Sequence, residues 1–177
     1  LCLEGAYHGD TLGAMSVGDR STFTQSFVDL RFAVDAVPFP ATWEGDGEVE
    51  AKEVRALLRL EQLLLDRPGE YAAMVLEPLV QGAGGMRICR PQFLIAVQAL
   101  LRRHDVLAIY DEVLTGFGRT GSLFACGKAA TEPDIICLAK GLTGGFLPLA
   151  ATVCSGRIFD AFYHEDPAKA FYHGHSY

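Results

Sequence analysis

The sequence predicts an α/β fold, a mostly parallel sheet with helices on both faces. Residues 71–77, 106–111, 135–139 and 149–155 are four almost continuously apolar runs. Runs of this kind read as strands buried on both faces. Stretches with apolar residues at helical spacing alternate with them, which implies parallel strands joined by crossover helices.

Taken in order, residues 1–6 read as the end of a strand entered midway, and a helix is expected to start near Asp10. Residues 19–48 are polar and broken by Pro38 and Pro40, so an irregular excursion is expected there. Residues 50–66 carry Val54, Leu57, Leu58, Leu64 and Leu65 at helical spacing and stop before Arg67-Pro68-Gly69. A strand over 71–77 follows. A second helix is expected over 92–104, with Pro91 in its first turn. Strands over 106–111, 135–139 and 149–155 come next, and then a third helix over 157–164. The final residues, 173–177, stop in mid-motif, so the chain reads as an internal piece of a longer protein.

A chain of 177 residues, 50% of them hydrophobic, can bury one sizeable core. The net charge of -7, with no basic run to offset it, argues against a nucleic-acid partner. No apolar run approaches the roughly 20 residues that span a bilayer. The five cysteines are scattered and show no Cys-x-x-Cys spacing. They read as reduced, buried or half-buried thiols of a cytoplasmic protein.

Asp111 ends one apolar run, and Lys140 lies just past a later one. In open α/β sheets, ligands bind at the C-terminal ends of strands. An amine and a carboxylate delivered there are what pyridoxal phosphate requires. The lysine forms a Schiff base with the aldehyde, and the aspartate pairs with the protonated ring nitrogen. Each residue alone has a plainer reading: Asp111 as a cap of the next turn, Lys140 as a solvated side chain. Gly141 and Gly144-Gly145 favour the ligand reading, because they let the backbone approach a bulky group. A lysine in a partly desolvated site is also favoured as a nucleophile.

Tyr7 could stack on an aromatic ring, while Asp10-Thr11 could simply cap a helix. Glu77 ends another apolar run ahead of a glycine-rich loop. That loop matches neither the nucleoside-triphosphate nor the dinucleotide fingerprint. His173-Gly174-His175 has metal-like spacing but no third ligand cluster, so no metal is expected.

Four blocks carry a resemblance: Tyr7-His8-Gly9-Asp10-Thr11, residues 77–85 (Glu-Pro-Leu-Val-Gln-Gly-Ala-Gly-Gly), residues 111–121 (Asp-Glu-Val-Leu-Thr-Gly-Phe-Gly-Arg-Thr-Gly) and residues 140–145 (Lys-Gly-Leu-Thr-Gly-Gly). Together they resemble the class III PLP-dependent aminotransferases over essentially the whole chain. The first two blocks are similar to the family's biotin-pathway branch. The resemblance implies the large domain of a fold-type I PLP-dependent transferase. Residues 1–177 would form an internal part of it. A phosphate loop would precede them and a C-terminal small domain would follow, so this stretch alone would be inactive.

The implied reaction is amino transfer to 8-amino-7-oxononanoate, giving 7,8-diaminononanoate. His175-Ser176 stands where a common family pattern has Pro-Thr, which leaves adenosylmethionine or lysine as donor. Other class III ω-aminotransferases or aminomutases, and a non-catalytic piece, are the alternatives. By resemblance, Lys140, Asp111 and Tyr7 are catalytic, with Tyr7 on one ring face and Val113 on the other. His8 and Glu77 also line the cofactor. Ser176 reaches the phosphate in a partner subunit's site, which implies a homodimer. Gly174 and Arg119 join Tyr7 and Lys140 on the substrate side.

Overall fold

The computed structural model describes residues 1–18, 22–172 and 174. Strand β1 (Cys2–Leu3) leads into helix α1 (Leu12–Val17), capped by Thr11, whose side chain accepts from the Ala14 amide. A 3-10 helix over Thr22–Leu30 and the two-residue strand β2 (Ala36–Val37) follow. Helix α2 (Val49–Asp66) leads to β3 (Ala73–Leu76), and a small antiparallel ribbon of β4 (Val80–Gln81) and β5 (Arg87–Ile88) comes next. Helix α3 (Pro91–Arg103), strand β6 (Leu107–Asp111), the single turn α4 (Ala125–Lys128) and strand β7 (Ile135–Leu138) continue the alternation. Strand β8 (Ala151–Cys154) and helix α5 (Gly156–Phe162) complete it.

The main sheet has six strands in the order β2-β1-β3-β6-β7-β8. All its pairings are parallel except that of β7 with the edge strand β8. This is the mixed α/β, mainly parallel architecture expected from the alternating runs. Met74, Leu76, Ala108 and Tyr110 are buried in the core that α2 and α3 help to form, while Val75, Leu107 and Ile109 on the other face are half-buried. The chain steps from β1 out to β2 and then returns to the far side of β1 as β3. That reversal makes β1/β3 the topological switch point, where a crevice opens beyond the strand ends.

The described part of the expected excursion, residues 22–48, is less irregular than its composition suggests. Its β2 pairs with β1, and Thr42 bridges to Ile88. A two-residue strand beside proline is too short to leave a periodic signal. Strand β8 has a neighbour on one side only, so Thr152, Val153 and Cys154 are exposed rather than buried. Helix α2 has two apolar stripes, and packing selects one. Ala56, Leu60, Leu63 and Leu64 are buried, whereas Val54, Leu58 and Leu65 face outward. The selected face also buries Glu53, whose carboxylate takes both branches of the Arg90 guanidinium at 2.9 and 2.7 Å. This fork ties α2 to the start of α3.

Candidate active site

Three strand ends deliver polar groups to the crevice at the switch point. The β3–β6 register pairs Leu76 with Tyr110, and the β6–β7 register pairs Asp111 with Cys137. Glu77 therefore falls one residue beyond the ladder, level with Asp111 and on the same face. The segment after β1 turns into the crevice and brings Tyr7 and His8 to them.

These groups line a cavity of about 430 Å³ with Gly82, Met86, Leu114, Val113 and Lys140. Asp111 is buried. One of its oxygens accepts from the Val113 amide at 3.0 Å, and the other lies 2.8 Å from His8 Nδ1. With Asp111 ionised, His8 holds its proton on Nδ1 and donates it. Its Nε2 is buried and finds no partner among the described residues. Glu77 accepts from the Tyr7 amide at 3.1 Å and from the Gly82 amide at 2.9 Å. Burial pushes the Glu77 carboxyl above the ordinary carboxylate range. The two amides and the nearby His8 pull it back, while Asp111 adds to the rise.

Tyr7 is 46% exposed, and its hydroxyl donates to Asp10 at 3.1 Å, which leaves the ring open to the cavity. Lys140 follows β7 on the cavity rim, is exposed, and pairs with no carboxylate among the described residues. Its backbone has φ 43, in the left-handed region that side chains rarely adopt.

The fold thus brings together Tyr7, His8, Glu77, Asp111, Val113 and Lys140. Arg119 lies outside this cavity. It lines an adjoining hollow of about 280 Å³ that shares Met86 and Leu114 with it. Gly174 is absent from the cavity lining and sits beside the Phe171 ring. Ser176 lies outside the described residues, as do His173 and His175.

The sequence reading missed Gly82, Met86, Leu114 and Glu112. Gly82 sat in a glycine-rich loop already noted, but its bond to Glu77 depends on how that loop folds back. Glu112 follows Asp111 directly, and a second carboxylate at a buried strand end was the available signal. It is fully buried and bonded on both oxygens.

A lysine and a buried carboxylate thus share one open cavity with an aromatic ring on its wall. The family profile described as Aminotransferase class-III matches residues 1–177. The chain belongs to this family. The adenosylmethionine-8-amino-7-oxononanoate aminotransferase of Synechococcus elongatus is 56% identical over 177 residues, all of this chain and 41% of that protein. The solved structure of the enzyme of that name from Methanocaldococcus jannaschii matches with a TM-score of 0.83 and 37% identity, covering 99% of this chain and 39% of that one. An amine transaminase from an uncultivated Pseudomonas species, solved in its PLP-bound form, matches with a TM-score of 0.89 and 32% identity, covering 99% and 40%. This class-III chain spans about two fifths of the length of the curated relatives it matches.

The residues present fit the family's cofactor. The cavity offers an amine on its rim, an acceptor carboxylate in its depth and apolar walls at Val113 and Leu114. The unpartnered His8 Nε2 marks a buried polar edge behind that carboxylate.

Proposed function

We propose that this chain forms the cofactor-holding part of a PLP-dependent aminotransferase. It would transfer an amino group to 8-amino-7-oxononanoate, with adenosylmethionine or lysine as donor. The observation that carries the reading is the convergence of Lys140, Asp111 and His8 on one cavity. Names of relatives that match the whole chain support the choice of substrate.

Bound pyridoxal phosphate supplies an aldehyde that carries the amino group and a ring that takes up an electron pair. Lys140 would hold that group covalently through Nζ and, once displaced, take up and return a proton there. Asp111 would accept a charged hydrogen bond from the ring nitrogen. The His8 Nδ1 hydrogen and the Val113 amide hold its carboxylate in place. Tyr7 and Val113 would flank the ring. Arg119, in the adjoining hollow, and Gly174 would face the substrate.

The working unit in this reading is a homodimer in the cytoplasm, with Ser176 of each chain reaching the phosphate in the partner's site. In keeping with that compartment, no disulfide joins the cysteines of the described residues. No helix among the described residues is long and apolar enough to cross a membrane.

The test uses the full-length protein. Borohydride reduction and peptide mapping should label Lys140. Amino transfer to 8-amino-7-oxononanoate should exceed transfer with simple ω-amino substrates. Label on Lys128 or Lys169, or a preference for the simple substrates, would overturn the reading.

A further inference from the structure

We propose that Glu112 is a positioning residue for Lys140, acting through Phe117. The inference rests on the function proposed above only in its cofactor arm. Glu112 is the residue after Asp111 and is fully buried. Its carboxylate points away from the cavity and gathers three donors. One oxygen accepts from Thr115 Oγ1 at 2.5 Å and from the Ala125 amide at 3.0 Å, and the other accepts from the Cys126 amide at 2.8 Å. A buried carboxylate held this way is costly to disturb. It clamps both ends of the loop over residues 113–124. The Glu112 carbonyl adds a third tie by accepting from the Gly116 amide at 2.8 Å. A Cβ at Gly116 would come within 2.8 Å of that same carbonyl oxygen, so the turn closes only around glycine.

Phe117 carries the clamped loop to the residue after Lys140. Phe117 packs edge-on against Phe124, with ring centroids 5.5 Å apart. Its other side meets the backbone at Gly141, where a Cβ would fall 2.7 Å from Phe117 Cβ. Phe117 has φ 60 and Lys140 has φ 43. Two side-chain-bearing residues in the left-handed region thus sit on either side of one tight contact. Strained conformations persist only where the surroundings over-determine them. Here the surroundings are the Glu112 clamp on one side and the end of β7 on the other. The Glu112 amide donates to the Cys137 carbonyl at 3.0 Å, which ties the clamp to that strand as well.

Glu112→Gln keeps the volume but leaves an NH2 facing a backbone or hydroxyl donor. Amide hydrogen exchange at Leu142 and Thr143, which donate to Ala139 and Lys140, reads the brace in the apoprotein. Exchange there should quicken by about tenfold in the full-length variant. In the cofactor-loaded protein, the dissociation constant for pyridoxal phosphate should rise by about tenfold, and visible circular dichroism per bound cofactor should fall. Phe117→Leu should give the same signature, and the double variant should add little to either.

Leu60→Ala, a core change in helix α2, should lower the unfolding temperature without moving these readouts. If Glu112→Gln does not fold, Thr115→Val, which removes a single donor, and Phe117→Leu decide the matter with the same measurements. Unchanged exchange at Leu142 and Thr143, with only the unfolding temperature lowered, would overturn the proposal. A wild type that binds no pyridoxal phosphate would instead overturn the proposed function, and the exchange arm would still judge the brace.

Discussion

At the scale of single residues, each carboxylate oxygen of Asp111 holds one donor and keeps a lone pair for another. The Val113 amide holds one oxygen and His8 Nδ1 the other, and all three residues line the cavity. Asp111→Asn would turn an NH2 toward one of those donors and remove the charge. A charge-assisted bond of this kind contributes about 1.5–3 kcal/mol, so turnover should fall by at least about tenfold at saturating cofactor. Steady-state kinetics with cofactor occupancy measured in parallel would check this. Normal turnover at normal occupancy would show that Asp111 has no such role. Asp111 and Lys140 were legible in the sequence because strand ends deliver side chains to a predictable edge. The bond from His8 was not, since its partner is 103 residues away.

At the scale of elements, α3 is the best-determined piece. Pro91 starts it, Arg102 and Arg103 lie in its last turn, and its apolar positions recur on one face. Phe93, Leu94, Val97 and Leu101 are all but fully buried in the core shared with β6, whereas Ile95 is 48% exposed. Leu94→Ala should therefore cost about 2–5 kcal/mol, while Ile95→Ala should stay within about 0.5 kcal/mol. Urea unfolding of both variants gives the difference, and equal losses would mean that α3 is not anchored by this face. Helix α2 was harder to read. Its leucines fit two faces, and only docking on the sheet and the Arg90–Glu53 fork decide which one is buried. The ribbon of β4 and β5 left no sequence signal either, because two-residue strands have no period.

At the scale of the whole molecule, the proposed homodimer makes a prediction about sharing. If Ser176 serves the partner's site, a Lys140→Ala chain mixed with a Ser176→Ala chain should form hybrids with one intact site. Activity should rise on mixing, above that of either variant alone. Flat activity, with hybrids verified by mass spectrometry, would place Ser176 in its own subunit's site or in none.

By itself the sequence determined the order of strands β3, β6, β7 and β8 and of helices α2, α3 and α5, since burial on both faces and helical periodicity are written locally. It also determined which charged residues stand at strand ends, and its four motif blocks carried the family. The tertiary structure alone decided the rest. It placed β2 beside β1, set β8 antiparallel at an exposed edge, put Arg119 in the adjoining hollow and turned Glu112 inward as a clamp. The physical reason is separation along the chain. A strand's period or a helix's stop depends on neighbours a few residues away. The partner of a buried carboxylate is whichever donor the fold brings within about 3 Å, and no local pattern records that.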